Sequence, residues 1–151
     1  MKRFPMFLIL ALIVAACTGC DQPADYGTNI PFRTVMRGAL GGEEGQVVAT
    51  NDGQWRELWG RVRSGEPATM DFGKEMAIGL FLGHRSDGGY DINVLEVTER
   101  NNAILVTYEE QIAGDNCARI GMPTSPSIII AINRTSKPIQ YKKQVVTKSC
   151  E

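Results

Sequence analysis

The single histidine of this 151-residue chain lies in a polar stretch whose residue types could do chemistry. His84, Ser86 and Asp87 stand close together and are followed by Gly88 and Gly89. A serine hydrolase needs a base within hydrogen-bond reach of its serine, a third group to orient that base, and donors for the oxyanion. His84 and Ser86 are two positions apart in a turning segment, and no second histidine could replace the first as base. The stretch therefore predicts a tight turn in which glycine accepts positive φ, and we expect no catalytic residue.

Composition argues against two further kinds of site. One histidine supplies a transition-metal site poorly, so we expect no metal and no cofactor. The 16 basic and 17 acidic residues are interspersed, and the absence of a basic stripe gives nucleic-acid binding no support. The adjacent carboxylates Glu43-Glu44 and Glu109-Glu110 point to opposite sides of an extended chain, which is typical of a solvated face.

The amino terminus has the organisation of an export signal. Met1, Lys2 and Arg3 form a short positive n-region, and Phe4 to Ala16 is an apolar run too short to anchor in a bilayer. Val14-Ala15-Ala16-Cys17 matches the lipobox of bacterial lipoproteins, in which the cysteine is diacylated. We therefore expect a lipoprotein signal peptide over residues 1–16 and a membrane-anchored protein in the bacterial cell envelope, facing the periplasm or the exterior. A plain signal peptide cut at a small residue is the alternative.

The four cysteines bear on which residue carries the lipid. Cys117 and Cys150 lie far out in the exported part, where disulfides persist, and we expect them to pair. Lipidation at Cys17 leaves three thiols, whereas lipidation at Cys20 leaves a clean pair. Cys20 would place Cys17 at the branched-apolar position of the lipobox, which fits less well. We favour Cys17 and keep Cys20 as the alternative.

Behind the lipobox, the chain divides into a linker and one domain. Residues 17–31 carry Pro23, Gly27 and Pro31 among few apolar residues, which predicts a flexible tether. Residues 32–151 suffice for a single hydrophobic core.

One apolar stripe has helical spacing. Its members are Trp55, Leu58, Trp59 and Val62. The spacing i, i+3, i+4 and i+7 predicts a helix with one face buried against a sheet. Asn51 and Gln54 form a capping pair at its start, and Gly65 with Pro67 marks its end.

Most other apolar segments read as strands. "EMAIGLFLG" and "SIIIAI" are apolar on both parities, as in strands covered on both faces. "YDINVLEVTE" changes parity between Val94 and Leu95, which predicts a bulge.

The remaining strand segments are expected to lie at the periphery of the sheets. "PIQYKKQVV" alternates like a half-exposed edge strand, while "FRTVMRGAL" and "GQVVAT" flank a hairpin or loop. Together these segments predict a mainly β (α+β) fold, an antiparallel β-sandwich or partial barrel with one amphipathic helix closing one end.

The run "MDFGKEMAIGLFLGHRSDGGYDINVLEV", preceded by "QWRELW" and followed by "LVTYEE" and "TSPSIIIAINR", resembles the PrcB C-terminal domain family. In that family a Trp-x-x-Leu-Trp helix, an Asp-Phe-x-Lys segment, a strand ending in glycine, a Thr-Gly-Gly-Tyr-like turn and a Ser-Pro strand recur in this order. The match runs from about Val47 to Ile139. Ser86-Asp87 replaces the usual Pro-Thr, and Ser127 stands where an aromatic often follows the proline.

The resemblance implies a small extracytoplasmic protein, often a lipoprotein, that acts as an accessory subunit of a surface serine-protease complex. We therefore expect a non-catalytic, lipid-anchored binding or stabilising subunit whose partner is an extracytoplasmic protease or another envelope protein. Alternatives are a structural envelope module and a protease inhibitor presenting a glycine-rich loop, as inhibitors of the chagasin type do.

Two polar loops on the β scaffold are the candidate contact surface. The predicted partner-binding residues are Arg85, Ser86, Asp87, Gly88, Gly89, Tyr90, Thr124, Ser125 and Pro126. Tyr90 is either the anchor of this surface, because tyrosine offers a large area at little entropic cost, or an inward-facing strand residue.

Overall fold

The computed structural model describes residues 27–150. The predicted signal peptide and both candidate lipidation residues, Cys17 and Cys20, lie outside the described residues. Within residues 27–150, no helix is both long enough and apolar enough to cross a bilayer.

Eight strands and one helix make up the described chain. In order they are β1 (Thr28–Asn29), β2 (Phe32–Gly38), β3 (Gly45–Ala49), α1 (Asp52–Gly60), β4 (Glu75–Phe81), β5 (Tyr90–Glu99), β6 (Ile104–Ala113), β7 (Ser127–Asn133) and β8 (Ile139–Lys148). They form two four-stranded sheets, in the orders β1-β5-β6-β8 and β2-β7-β4-β3. The mainly β prediction is confirmed, and of its two forms the structure has the sandwich.

Strand direction departs from the prediction at one pair. All the other pairs are antiparallel, but β8 runs parallel to β6, from Ile104 opposite Ile139 to Ala113 opposite Lys148. The cause is the crossover, because the chain leaves β6, passes through β7 in the other sheet and returns to lie beside β6 in the same direction.

The two sheets enclose the main core. Its buried members are Met76, Ile78, Leu80, Leu82, Ile92, Val94, Val97, Ile104, Val106, Tyr108, Ile128, Ile130 and Ile132. Both central strands of the second sheet, β4 and β7, are buried on both faces, as their apolar runs predict.

The helix covers a sheet face, which corrects the expectation that it closes one end. Trp55, Leu58 and Trp59 of α1 pack with Ala77, Phe81 and other residues on the outer side of β2-β7-β4-β3. A Cβ on Gly79 would lie 2.6 Å from Leu58 Cδ1. Because Gly79 has no side chain, the helix lies directly on this face of the sheet.

The start of the helix is as predicted, but its end is not. The Asn51 side chain accepts a hydrogen bond from the Gln54 N–H at 3.0 Å, which makes it the N-cap. The helix ends at Gly60 with Arg61 as C-cap, before the expected Gly65. A further turn, in which the Val62 N–H bonds to the Trp59 carbonyl, carries Val62 into the core.

Three peripheral features complete the fold. The predicted bulge is confirmed by a register shift between Val94 and Glu96. β2 and β3 form no hairpin, because they are the two opposite edges of their sheet and the intervening glycine-rich segment is a loop. Within the expected tether, Thr28 and Asn29 pair with β5 and Ile30 packs on the core, so the fold includes residues before Phe32.

Candidate functional site

The two candidate loops lie side by side at one end of the sandwich. The Arg85 N–H donates to the Thr124 carbonyl at 2.8 Å, and the Thr124 N–H donates to the Arg85 carbonyl at 3.1 Å. The Thr124 hydroxyl also donates to the Asp87 carbonyl at 2.9 Å. Two segments that the sequence analysis selected separately therefore form one surface.

A third segment, which the sequence analysis did not select, joins them. The Ser125 N–H donates to the Ala39 carbonyl at 2.7 Å, and the Gly41 N–H donates to the Ser125 carbonyl at 2.8 Å. We call residues 39–44, 84–90 and 118–126 together the loop cluster. No local pattern links residues 39–44 to this surface, because the link depends on the long-range pairing of strands.

The glycines of the first loop act differently from the expectation. The positive φ falls at Gly83 (+77°), whereas Gly88 and Gly89 are not among the positive-φ residues. Their role is close approach: a Cβ on Gly88 would lie 3.3 Å from Ile120 Cβ, and one on Gly89 would lie 2.9 Å from Asp87 Oδ1. The turn therefore depends on packing against the neighbouring loop.

A buried ion pair connects the first loop to β6. Arg85 Nη2 lies 2.8 Å from Glu110 Oε1, and the Glu110 side chain is only 8% exposed. Lys143 Nζ lies 3.4 Å from the other oxygen of Glu110 and 3.1 Å from Glu44. The hydrogen bond that Lys143 donates to Glu44 is the main reason that the pKa of Lys143 is raised, and attraction to both carboxylates adds to it.

Burial of this carboxylate overturns the interpretation of Glu109-Glu110 as a solvated pair. Counted over the whole residue, Glu109 is 8% exposed and Glu110 is 6% exposed. The reason is that β6 is a central strand, flanked by β5 and β8, so side chains on both of its faces have neighbours.

His84 contacts a serine other than the one near it in sequence. Its Nδ1 lies 3.0 Å from Ser125 Oγ, and its Nε2 lies 3.8 Å from Glu43 Oε1. The Ser86 hydroxyl instead donates to the Asp87 carboxylate at 3.2 Å. Ser125 is 5% exposed, and its own N–H is bonded to Ala39. The contact therefore holds two loops together and leaves little room for a substrate at the hydroxyl.

Exposed apolar side chains are concentrated on the loop cluster. Leu40, Ile120 and Met122 are 77%, 69% and 62% exposed, and they are three of the five exposed large apolar residues in the described chain. None of the three was predicted from the sequence. Their only local signal is an apolar residue in a glycine- and proline-containing loop, which is too common to select them.

Tyr90 is half-buried where β5 begins, on the same strand face as the core residue Ile92. The Arg85 guanidinium lies 5.6 Å from the centre of its ring. Tyr90 is also one of the residues that line a cleft of about 200 Å³.

The Cys117–Cys150 disulfide forms one wall of the same cleft and joins the end of β8 to the loop after β6. This pairing was expected from the sequence. In residues 27–150, no group of three or more histidine, cysteine, aspartate or glutamate side chains is placed to hold a metal ion.

The candidate contact residues differ in what they can offer a partner. Ser86 and Gly88 are exposed, and Asp87, Gly89 and Thr124 are partly exposed. Ser125 and Pro126 are buried, so they support the surface from behind. Arg85 is held by Glu110 and has the same supporting position.

The comparison with protein families agrees with this geometry. The family model described as PrcB C-terminal matches residues 76–133, which run from β4 to the end of β7 and include both candidate loops. This confirms the resemblance seen in the sequence. No curated protein and no solved structure matches the chain.

Proposed function

We propose that the protein is a non-catalytic, lipid-anchored subunit that binds and stabilises an extracytoplasmic protease, because the PrcB C-terminal family model matches residues 76–133 of this chain. The family is of the accessory type and is not a known catalytic one. The loop cluster is the proposed contact surface.

The observation that carries the proposal is the exposed apolar set Leu40, Ile120 and Met122. These side chains stand on loops that are hydrogen-bonded to one another and backed by the sandwich. Exposed apolar side chains on loops that are held together by hydrogen bonds are typical of a protein-binding surface, since their burial by a partner removes them from water at little cost in ordering.

The place where residues 28 and 29 join the sandwich fits an anchored binding subunit. Thr28 pairs with Glu99 at one end of β5, and the first loop leads into Tyr90 at the other end. Ten strand residues separate these ends by about 30 Å. A lipid anchor upstream of residue 27 would therefore be connected to the end of the sandwich opposite the loop cluster.

The inhibitor alternative requires a loop free to enter a protease cleft. Here the Gly88 N–H is bonded to the Ile120 carbonyl and the Gly89 N–H to the Asp87 carboxylate, both at 2.8 Å. Tyr90 is half-buried. These contacts favour a flat contact surface over an inserted loop.

Crosslinking and affinity purification of the full chain from native membranes test the proposal. We expect a protease to be enriched, its steady-state level to fall when the subunit is deleted, and mass spectrometry of the mature amino terminus to find diacylglycerol on Cys17, or on Cys20. The triple variant Leu40→Ser/Ile120→Ser/Met122→Ser should lose more than about tenfold of the enrichment.

The matched control is Leu95→Ser/Val145→Ser, which changes exposed apolar residues outside the loop cluster and should retain the partner. Enrichment of no protease, or equal enrichment by wild type and the triple variant, would overturn the proposed function.

A further inference from the structure

The last strand of the chain has an open edge. β8 is the terminal strand of its sheet and pairs only with β6, over ten consecutive positions without a register shift. In the described part of the chain, no strand pairs with its other side.

The backbone groups along this edge can be assigned. The Pro138 carbonyl accepts from the Ile104 N–H and the Lys148 carbonyl accepts from the Gly114 N–H, so even-numbered residues of this strand direct their backbone groups toward β6. Because the N–H and carbonyl of a strand residue point the same way and alternate along the chain, the odd-numbered residues direct theirs outward. Beyond Ile139, the first residue of the strand, the outward set is Tyr141, Lys143, Val145 and Thr147.

The other sheet edges are interrupted or short. β2 carries a register shift between Thr34 and Met36, and β3 has five residues. On β5, two residues pair with β1, a bulge follows Val94, and the Asp91 carboxylate accepts the N–H of Ile92. Such features block strand addition, and β8 has none of them along its ten residues.

The charges on β8 indicate which kind of segment could pair with its open edge. β8 contains Lys142, Lys143 and Lys148 and no acidic residue. Lys143 and Lys148 face carboxylates of this chain, whereas Lys142 is exposed and makes no ion pair among residues 27–150. A second copy of the strand would bring like charges together, which disfavours self-pairing.

We propose that the free edge of β8 accepts an extended, acidic segment of a partner protein by strand addition. Outward N–H and carbonyl groups supply the affinity in this mode, and side chains at alternate positions supply the specificity. This surface lies outside both the loop cluster and the matched segment 76–133, so it is separate from the proposed protease contact.

Fluorescence anisotropy of the full chain in detergent tests the edge directly. The probe is a labelled decapeptide alternating Glu and Thr, and its counterpart alternates Lys and Thr. We expect the acidic peptide to bind at least about tenfold more tightly than the basic one, and its affinity to fall at high salt. Equal affinity for the two peptides, or no binding of the acidic one, would contradict the proposal.

Variants separate the backbone contribution from the charge. Val145→Pro removes one outward N–H without removing a donor to β6, and we expect it to weaken binding at least about tenfold. Val145→Thr keeps the backbone and should bind like wild type. Lys142→Glu reverses the free charge and should weaken the acidic peptide only. Unchanged binding by Val145→Pro would overturn strand addition.

Hydrogen exchange on the wild-type chain provides a readout that does not depend on the folding of any variant. Saturation with the acidic peptide should slow exchange at the N–H groups of Tyr141, Lys143, Val145 and Thr147. Unslowed exchange at these four positions contradicts the proposal, whatever the outcome of the protease purification.

Discussion

The guanidinium of Arg85 and the carboxylate of Glu110 lie 2.8 Å apart and connect the first candidate loop to β6. Their side chains are 20% and 8% exposed. The position of the loop therefore depends on a charge inside the sandwich, and the candidate contact surface is positioned by the same interior that stabilises the fold.

Arg85→Ala should destabilise the protein, because it leaves Glu110 buried with Lys143 as its remaining cation. We expect the free energy of unfolding in urea at pH 7 to fall by about 2–3 kcal/mol. The control Arg85→Ala/Glu110→Gln removes the uncompensated charge and should recover at least half of the loss. A double variant as unstable as the single one would contradict this account.

Gly79→Ala tests the contact between helix and sheet. The added Cβ would lie 2.6 Å from Leu58 Cδ1 and 2.9 Å from Phe81 Cε2, so a packed side chain must move. We expect a loss of about 1–3 kcal/mol in a thermal or urea melt. Gly60→Ala is the control, since its Cβ meets nothing within 4 Å in the last turn of α1 and should raise stability by about 0.5–1 kcal/mol. Equal effects of the two substitutions would contradict the packing argument.

Local patterns in the sequence predicted much of the fold. The stripe from Trp55 to Val62, the two-sided strands β4 and β7 and the bulge after Val94 each express a periodicity over a few residues. The direction of β8 beside β6 was not predictable in this way, because it depends on the order in which strands enter two sheets.

The candidate site was predictable in position but not in detail. A resemblance over several motifs placed both loops, yet the partner of His84 lies 41 positions away at Ser125. The burial of Glu110 and the exposure of Leu40 likewise depend on which segments meet at one end of the sandwich. These are long-range relations, for which a single sequence carries no periodic signal.

Loss of the disulfide should lower stability without changing the core. Cys117 and Cys150 are 33 positions apart, and cross-linking a loop of that length stabilises a fold by about 3–4 kcal/mol in the chain-entropy model. We expect Cys117→Ser/Cys150→Ser to lose this amount in urea unfolding. Dithiothreitol should lower wild-type stability to the level of the variant and leave the variant unchanged. A wild-type protein as stable in reductant as without it would contradict the prediction.

The ion pair between Arg33 and Glu75 predicts a pH dependence of stability. Arg33 Nη2 lies 2.6 Å from Glu75 Oε2, and its hydrogen bond lowers the pKa of Glu75 below the ordinary 4.5. Because the pKa of Glu75 is lowered in the folded state, the contribution of the ion pair to the free energy of unfolding is fully present above pH 4.5. It is lost as the pH falls through the folded-state pKa. Because the Arg33 side chain is 50% exposed, solvent screening limits the contribution to about 0.5 kcal/mol.

Glu75→Gln should therefore be less stable than wild type by about this amount at pH 7, and the difference should shrink as the pH is lowered below 4.5. Urea unfolding of both proteins at several pH values measures it. Lys74→Gln is the matched control, since Lys74 pairs with exposed Asp71 at 3.3 Å and its removal leaves the Arg33–Glu75 contact in place. A difference between wild type and Glu75→Gln that grows toward acidic pH would show that the sign is wrong and that Glu75 acts in its protonated form.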